Sequence, residues 1–268
     1  MIMGFKSRNL QSTVKVSDTP VKKFIIIICE GEKTEFQYFS GLEKLELPVK
    51  NLIILEPIKH ASAPTRLANS YVQREEEIRQ KKEEKEIVAY IEKTAKQAKE
   101  NKSFKDNYDS VWIVVDRETQ ENKIVNIERA QKICDEKNYN MALTNPTFEF
   151  WLLLHIVDIS QYDTNRLNEI AENKKINKKK KKRFLEKKLS EILGGYNKSE
   201  LKQEDFISLE KILFALKQEE FIAIEINDIK KNIGSNIGKL IHEIIDVELA
   251  QTIVNDKTKE AELLNIVE

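Results

Sequence analysis

Apolar positions follow two patterns along the chain: short unbroken runs in its first half and stripes at helical spacing in its second. Residues 24–29 read FIIIIC, β-branched at the centre and uninterrupted, which predicts a strand buried on both faces as in a parallel sheet. The run stops at Glu30-Gly31, so an acid is delivered to the carboxyl end of a strand. A second run, VWIVV at 111–115, ends the same way in Asp116-Arg117-Glu118. Residues 49–55 and 139–144 predict two further strands. Thr34 with Gln37 three residues later has the form of a capping box, and Phe36, Phe39 and Leu42 follow at helical spacing. Residues 64–100, rich in Glu, Lys and Arg, predict one long helix or a helical pair, and 124–137 another helix. The block NPTFEFWLLLHI predicts an apolar helix over 148–157, with Asn145 as N-cap and Pro146 as first helical residue.

Strands alternating with helices predict an α/β domain over 21–157, a parallel sheet flanked by helices and interrupted by the insertion at about 64–100. Residues 1–20 are polar and read as a flexible lead-in. Over 158–268 the strand signal disappears. Amphipathic helices broken at Gly194-Gly195 and near Gly234 predict an α-helical C-terminal region, which carries a Lys-rich segment at 174–188.

Composition narrows the function classes. The 268 residues carry 45 basic and 45 acidic side chains, so no global charge argues for nucleic acid or for a membrane surface, and a site for a polyanion rests on local clustering. No run approaches the roughly 20 apolar residues of a membrane span, and the N-terminus has no apolar signal core. Two cysteines far apart, Cys29 and Cys134, fit a reduced cytoplasmic setting rather than a disulfide or zinc framework.

Three carboxylates carry the candidate chemistry. Glu30 follows one strand; Asp116 and Glu118 follow another. Residues two apart in extended chain share a side, so Asp116 and Glu118 can converge while Arg117 points away. Ligands of open α/β sheets bind outside the carboxyl ends of the strands, and a hard cation such as Mg²⁺ or Mn²⁺ takes carboxylate oxygens while keeping waters for phosphate. Surface salt bridges or helix caps are the alternative use of these acids. Glu149, on a helix apolar nearly all round, must be paired or used, either in support of a site or in a buried salt bridge. Asn145 and His155 flank it, and Glu35 suits the dipole of the first helix. Lys33, Arg117 and Asn145 are candidate substrate contacts. The run of lysines that includes Lys179, Lys180 and Lys181, followed by Arg183, is either a phosphate-binding cluster or a solvated loop. Few aromatics interleave it, so base stacking is not expected there.

The blocks CEGEKTE, VVDRE and NPTFEFWLLLH, in this order over residues 24–155, resemble the RloB-like proteins, and the resemblance extends more weakly through GSNIGKLIHEI at 234–244. Members of that family are similar to the Toprim fold of topoisomerases, primases and overcoming-lysogenization-defect nucleases. The resemblance implies a Toprim-like, Rossmannoid catalytic domain with a Mg²⁺ site. Glu30 matches the acid after the first strand and Asp116 the first acid of the later Asp-x-Asp motif; Glu118 stands where that motif has aspartate. It places Asn145, Pro146 and Glu149 beside the site. It also implies prokaryotic antiviral defence, in some cases with an AAA-type ATPase partner.

The expectation is therefore a metal-dependent nuclease acting on RNA, tRNA included, or on DNA. Glu30, Asp116, Glu118 and Glu149 form its catalytic group, and the first three hold the metal. The alternative is a non-catalytic nucleic-acid- or nucleotide-binding subunit of a defence ATPase complex. A second copy of the chain is a further candidate partner; a membrane is not.

Overall fold

The computed structural model describes residues 23–29, 33–45, 49, 52–57, 92–93, 95–96, 99–100, 105, 108–118, 121–176 and 182–266. The lead-in at 1–20, most of the 64–100 insertion, Glu30 and Lys179, Lys180 and Lys181 lie outside them. Of the insertion, the described residues of 92–100 are helical, and Ala95 is buried.

Five strands form one sheet: β1 (Phe24–Cys29), β2 (Leu52–Pro57), β3 (Ser110–Asp116), β4 (Asn140–Asn145) and β5 (Gly234–Ser235). Their order is β2-β1-β3-β4-β5, parallel throughout except that β5 runs antiparallel to β4. β1 is buried on both sides because its side chains alternate between two cores. Ile25, Ile27 and Cys29 enter one, and Ile26 and Ile28 the other. Full burial of an isoleucine is worth about 1.5–3 kcal/mol, so this one strand is a large part of what fixes the sheet.

Two helices set the topology. Helix α1 (Thr34–Leu42) lies between β1 and β2 and contributes Tyr38, Phe39 and Leu42 to the first core. Helix α2 (Glu121–Lys137) lies between β3 and β4 and contributes Ile127 and Cys134 to the opposite core. From β1 the chain winds one way with its helix on one face; from β3 it winds the other way with its helix on the other face. The order reverses between β1 and β3. In doubly wound sheets a crevice opens outside the carboxyl ends of the strands at that reversal, which is where β1 ends at Cys29 and β3 at Asp116.

The remaining helices are α3 (Phe148–Leu154), α4 (Thr164–Glu172), α5 (Phe184–Ile192), α6 (Leu209–Glu219), α7 (Ile226–Ile229), α8 (Ile237–Ile244) and α9 (Val247–Ile266). All seven residues of α3 are buried. It is apolar on every side because it sits between β4 and the helices α5 and α6.

Two sequence expectations are corrected. The first helix begins at Thr34 as expected, but without a capping box: Thr34 Oγ1 donates to Lys198 O at 2.9 Å, and Gln37 Oε1 accepts from Leu201 N at 2.8 Å. These polar groups serve a distant loop, although Gln37 Nε2 also donates to Lys33 O at 3.0 Å at the start of its own helix. Asn145 is not the N-cap of α3, because it is the last residue of β4, its peptide bond to Pro146 is cis, and Thr147 takes the cap position. The C-terminal region is α-helical as expected, and one two-residue strand in it, Gly234–Ser235, extends the sheet. Its helices share the first core with β1, β3 and α3.

Candidate active site

The carboxyl edge of β3 and β4 is built by a short extension of their ladder. Asp116 pairs in register with Thr144. Past the end of β3, Arg117 N–H donates to Thr144 O at 2.7 Å and Glu118 N–H to Pro146 O at 2.8 Å. Thr144 Oγ1 donates to Asp116 Oδ1 at 2.5 Å, so a buried hydroxyl fixes the rotation of this carboxylate.

Glu118 has φ of 46°. A non-glycine residue in this left-handed region is uncommon and persists only where its surroundings hold it, here through the bond to Pro146. The strand pleat therefore ends at Asp116, and the side of Glu118 is set by this turn rather than by simple alternation. Arg117 does turn away: its Nε donates to Lys230 O at 3.0 Å, and its Nη1 donates to Glu118 O. Asn145, also at this edge, donates both amide hydrogens, to Ile229 O and Asn232 O, each at 2.7 Å. The side chains of Arg117 and Asn145 thus reach the same stretch, 229–232, next to α7. Both are candidates for substrate contact by sequence, and in the fold both hold the C-terminal region against the sheet edge.

Cys29, the last described residue of β1, pairs with Val114. Its thiol is held well above the usual range by burial, and by the charges of Glu35 and Asp116. Cys29 is therefore a protonated core residue at the end of β1. Burial likewise pushes Cys134 up to about 12. Lys33 is exposed just before α1.

Glu149 lies in the first turn of α3, only 8% exposed. Among the described residues it has no ion-pair partner, which removes the buried salt bridge as its explanation. It faces other acids instead. The Tyr196 phenol is pushed up by burial and then by the charges of Glu149, Glu186 and Glu35, and Glu186 is raised by burial with Glu149 adding to it. Glu35 of α1, Glu149 of α3 and Glu186 of α5 thus all act electrostatically on one tyrosine hydroxyl. Tyr196 carries no motif of its own, and only its place just after Gly194-Gly195 marks it in the sequence.

His155 is part of the core. Its Nδ1 donates to Trp151 O and its Nε2 accepts from Tyr38 Oη, both at 2.9 Å, and burial lowers its pKa to about 3. A second structural motif is the GSNIG loop. Asn236 accepts from Leu143 N at 2.6 Å and donates to Met141 O at 3.0 Å, replacing a strand partner along the edge of β4. The sequence block that contains Asn236 is conspicuous, but its edge-pairing duty is not readable without the fold.

Among the described residues, no group of three or more His, Cys, Asp or Glu side chains is placed to hold a metal ion; Glu30 is not among them. The donor chemistry of Asp116 and Glu118 nonetheless suits Mg²⁺, which is commonly bound through one or two carboxylates together with water and substrate phosphate. No described helix is long and apolar enough to cross a membrane.

A family model described as RloB-like protein matches residues 25–244, spanning the sheet, this edge and the C-terminal helices through α8. No curated protein and no solved structure matches the chain.

Proposed function

Since the chain belongs to the RloB-like protein family, we propose that it is a Toprim-like nuclease, dependent on Mg²⁺ or Mn²⁺, that hydrolyses phosphodiester bonds of RNA or DNA in prokaryotic antiviral defence. The observation that carries this reading is the reversal of strand order between β1 and β3. It brings the carboxyl ends of two strands distant in sequence side by side, β1, which the sequence continues into Glu30, and β3, which ends in Asp116. Asp116 and Glu118 would hold the metal together with Glu30. A bound Mg²⁺ would supply charge neutralisation on the scissile phosphate and a more acidic water.

The chain's own groups have separate duties. Thr144 orients Asp116, the left-handed turn presents Glu118, and Arg117 and Asn145 brace the edge from behind. Glu149, kept from water beside other acids, supports the site or exchanges a proton near it. Lys33, exposed before α1, is positioned to meet a phosphate.

The test uses the full chain with tRNA, single-stranded RNA and duplex DNA, each with Mg²⁺ or Mn²⁺, alongside Glu30→Ala and Asp116→Ala. Metal-dependent cleavage abolished by both substitutions, with fold and strand binding intact, is the expected result. An unchanged product pattern in either variant rejects the catalytic assignment. Binding without cleavage by the unaltered chain favours a regulatory subunit of a defence ATPase complex.

A further inference from the structure

The Lys-rich stretch has a defined frame. Lys175 and Arg183 form an antiparallel bridge, Ile176 N–H donates to Lys182 O, and Phe184 N–H donates to Lys174 O, both at 3.0 Å. Asn173 closes the base of this hairpin. It is 1% exposed, adopts a left-handed φ of 39° at the end of α4, and accepts from Leu185 N at 3.0 Å. The backbone on both sides of the lysine run is therefore fixed, which a solvated loop would not require.

Charge on this frame is arranged at a cost. Directly opposed side chains of an antiparallel pair stand close together, and like charges there destabilise. Lys174 is offset by Glu172 at 2.7 Å, but among the described residues Lys175 and Arg183 have no ion-pair partner. Two cations held face to face in this way would be relieved by an anion shared between them.

The hairpin also leads somewhere. Arg183 is the N-cap of α5, whose first turn carries Glu186. Glu186 meets Lys198 Nζ at 3.6 Å, and Lys198 O accepts from Thr34 at the start of α1. One ion pair and one hydrogen bond thus connect the base of the hairpin to the start of α1. The Lys198 side chain is 60% exposed, and an exposed pair of this kind is worth little, so Lys198 can exchange Glu186 for a phosphate.

We propose that the arms of this hairpin, through Lys175, Lys182 and Arg183, together with Lys198, track the phosphate backbone of a nucleic-acid strand and lead it to the carboxyl edge of the sheet. The proposal deepens the nuclease reading and rests on it only for what happens at that edge. With no aromatic residue in the run from Asn173 to Arg183, the strand is held by its phosphates and independently of sequence.

The test is binding of fluorescein-labelled RNA and DNA strands of one mixed sequence, measured by anisotropy in EDTA over a range of salt. Its variants are Lys175→Gln with Arg183→Gln, Lys198→Gln, and Lys217→Gln on α6 as a control, each checked for an unchanged thermal midpoint. The expected result is weakening of about tenfold for the double variant. The slope of log affinity against log salt should become shallower by about 0.7 for each single-strand phosphate that is no longer neutralised, with Lys198→Gln changing in the same direction and the control unchanged. No binding by the unaltered chain, an unchanged slope in the double variant, equal weakening in the control, or tighter binding of polyglutamate than of either strand would overturn it. Because metal is absent, a chain that binds through the arm and never cuts defeats only the nuclease reading. A chain that cuts with an affinity indifferent to the arm defeats only this proposal.

Discussion

Thr144 donates its buried hydroxyl to Asp116 at 2.5 Å, across the same register position of β3 and β4. The residue with a proposed metal-binding duty is thereby oriented by a neighbouring strand that the sequence separates from it by a whole helix. Outer partners that orient a metal ligand typically change affinity by about 10–100-fold when removed. Thr144→Val keeps the shape and removes the donor. We expect Mn²⁺ affinity, measured by calorimetry, to fall by about tenfold, with Thr144→Ser close to the parent chain.

Asn145 makes a different prediction because its amide satisfies two backbone carbonyls, of Ile229 and Asn232. Stranding a buried acceptor costs about 1–3 kcal/mol. Asn145→Ala should lower unfolding free energy by about that amount, and Asn145→Asp by more, since it sets a carboxylate against two carbonyl oxygens. Denaturant unfolding measures both. A residue that served only the substrate would leave stability unchanged.

The strands of this fold are legible in the sequence because β-branched runs buried on both faces leave no other period to read. α3 is legible for the same reason, its apolar surface being too broad for an outer helix. Asn145 misleads because Asn-Pro before an apolar run matches a helix start, while its actual partners lie in a stretch 84 and 87 residues away. The capping box fails likewise: Thr34 and Gln37 bond the 198–203 loop, and the local side-chain bond from Gln37 to Lys33 O is not that of a capping box. Local pattern reports local bonds, and these polar groups make distant ones. The left-handed turn at Glu118 leaves no trace, since only backbone geometry distinguishes it from strand alternation.

Glycine spacing around β5 reflects close backbone approach. A Cβ on Gly234 would stand 2.4 Å from the Ala223 carbonyl oxygen, whereas one on Gly238 would meet Glu219 Oε2, a side-chain end, at 2.0 Å. The first neighbour is backbone and cannot rotate aside. Overpacking of this kind typically costs about 1–3 kcal/mol. Gly234→Ala should exceed that range and Gly238→Ala fall within it, as read by urea midpoints.

Glu219 and His155 pull stability in opposite directions with pH. The Glu219 carboxyl, 7% exposed, is raised by burial from 4.5 to about 7, although Ser235, the Gly238 and Ile237 amides and Lys239 favour its charged form. The folded state therefore holds this proton more tightly than the unfolded chain. The stabilisation is complete below 4.5 and is lost as pH rises through about 7, amounting to about 3 kcal/mol. His155, lowered from 6.5 to about 3 by burial, takes up its proton more readily when unfolded. It therefore favours folding above 6.5, and that contribution declines as pH falls toward 3. In the parent chain the two slopes partly cancel between 4.5 and 6.5. Glu219→Gln keeps the acceptor for Gly238 N–H and removes the titration. We expect unfolding free energy, measured across that window, to rise with pH more steeply in the variant than in the parent. Parallel profiles would show that Glu219 ionises at its ordinary value and that the packing around Gly238 does not hold its proton.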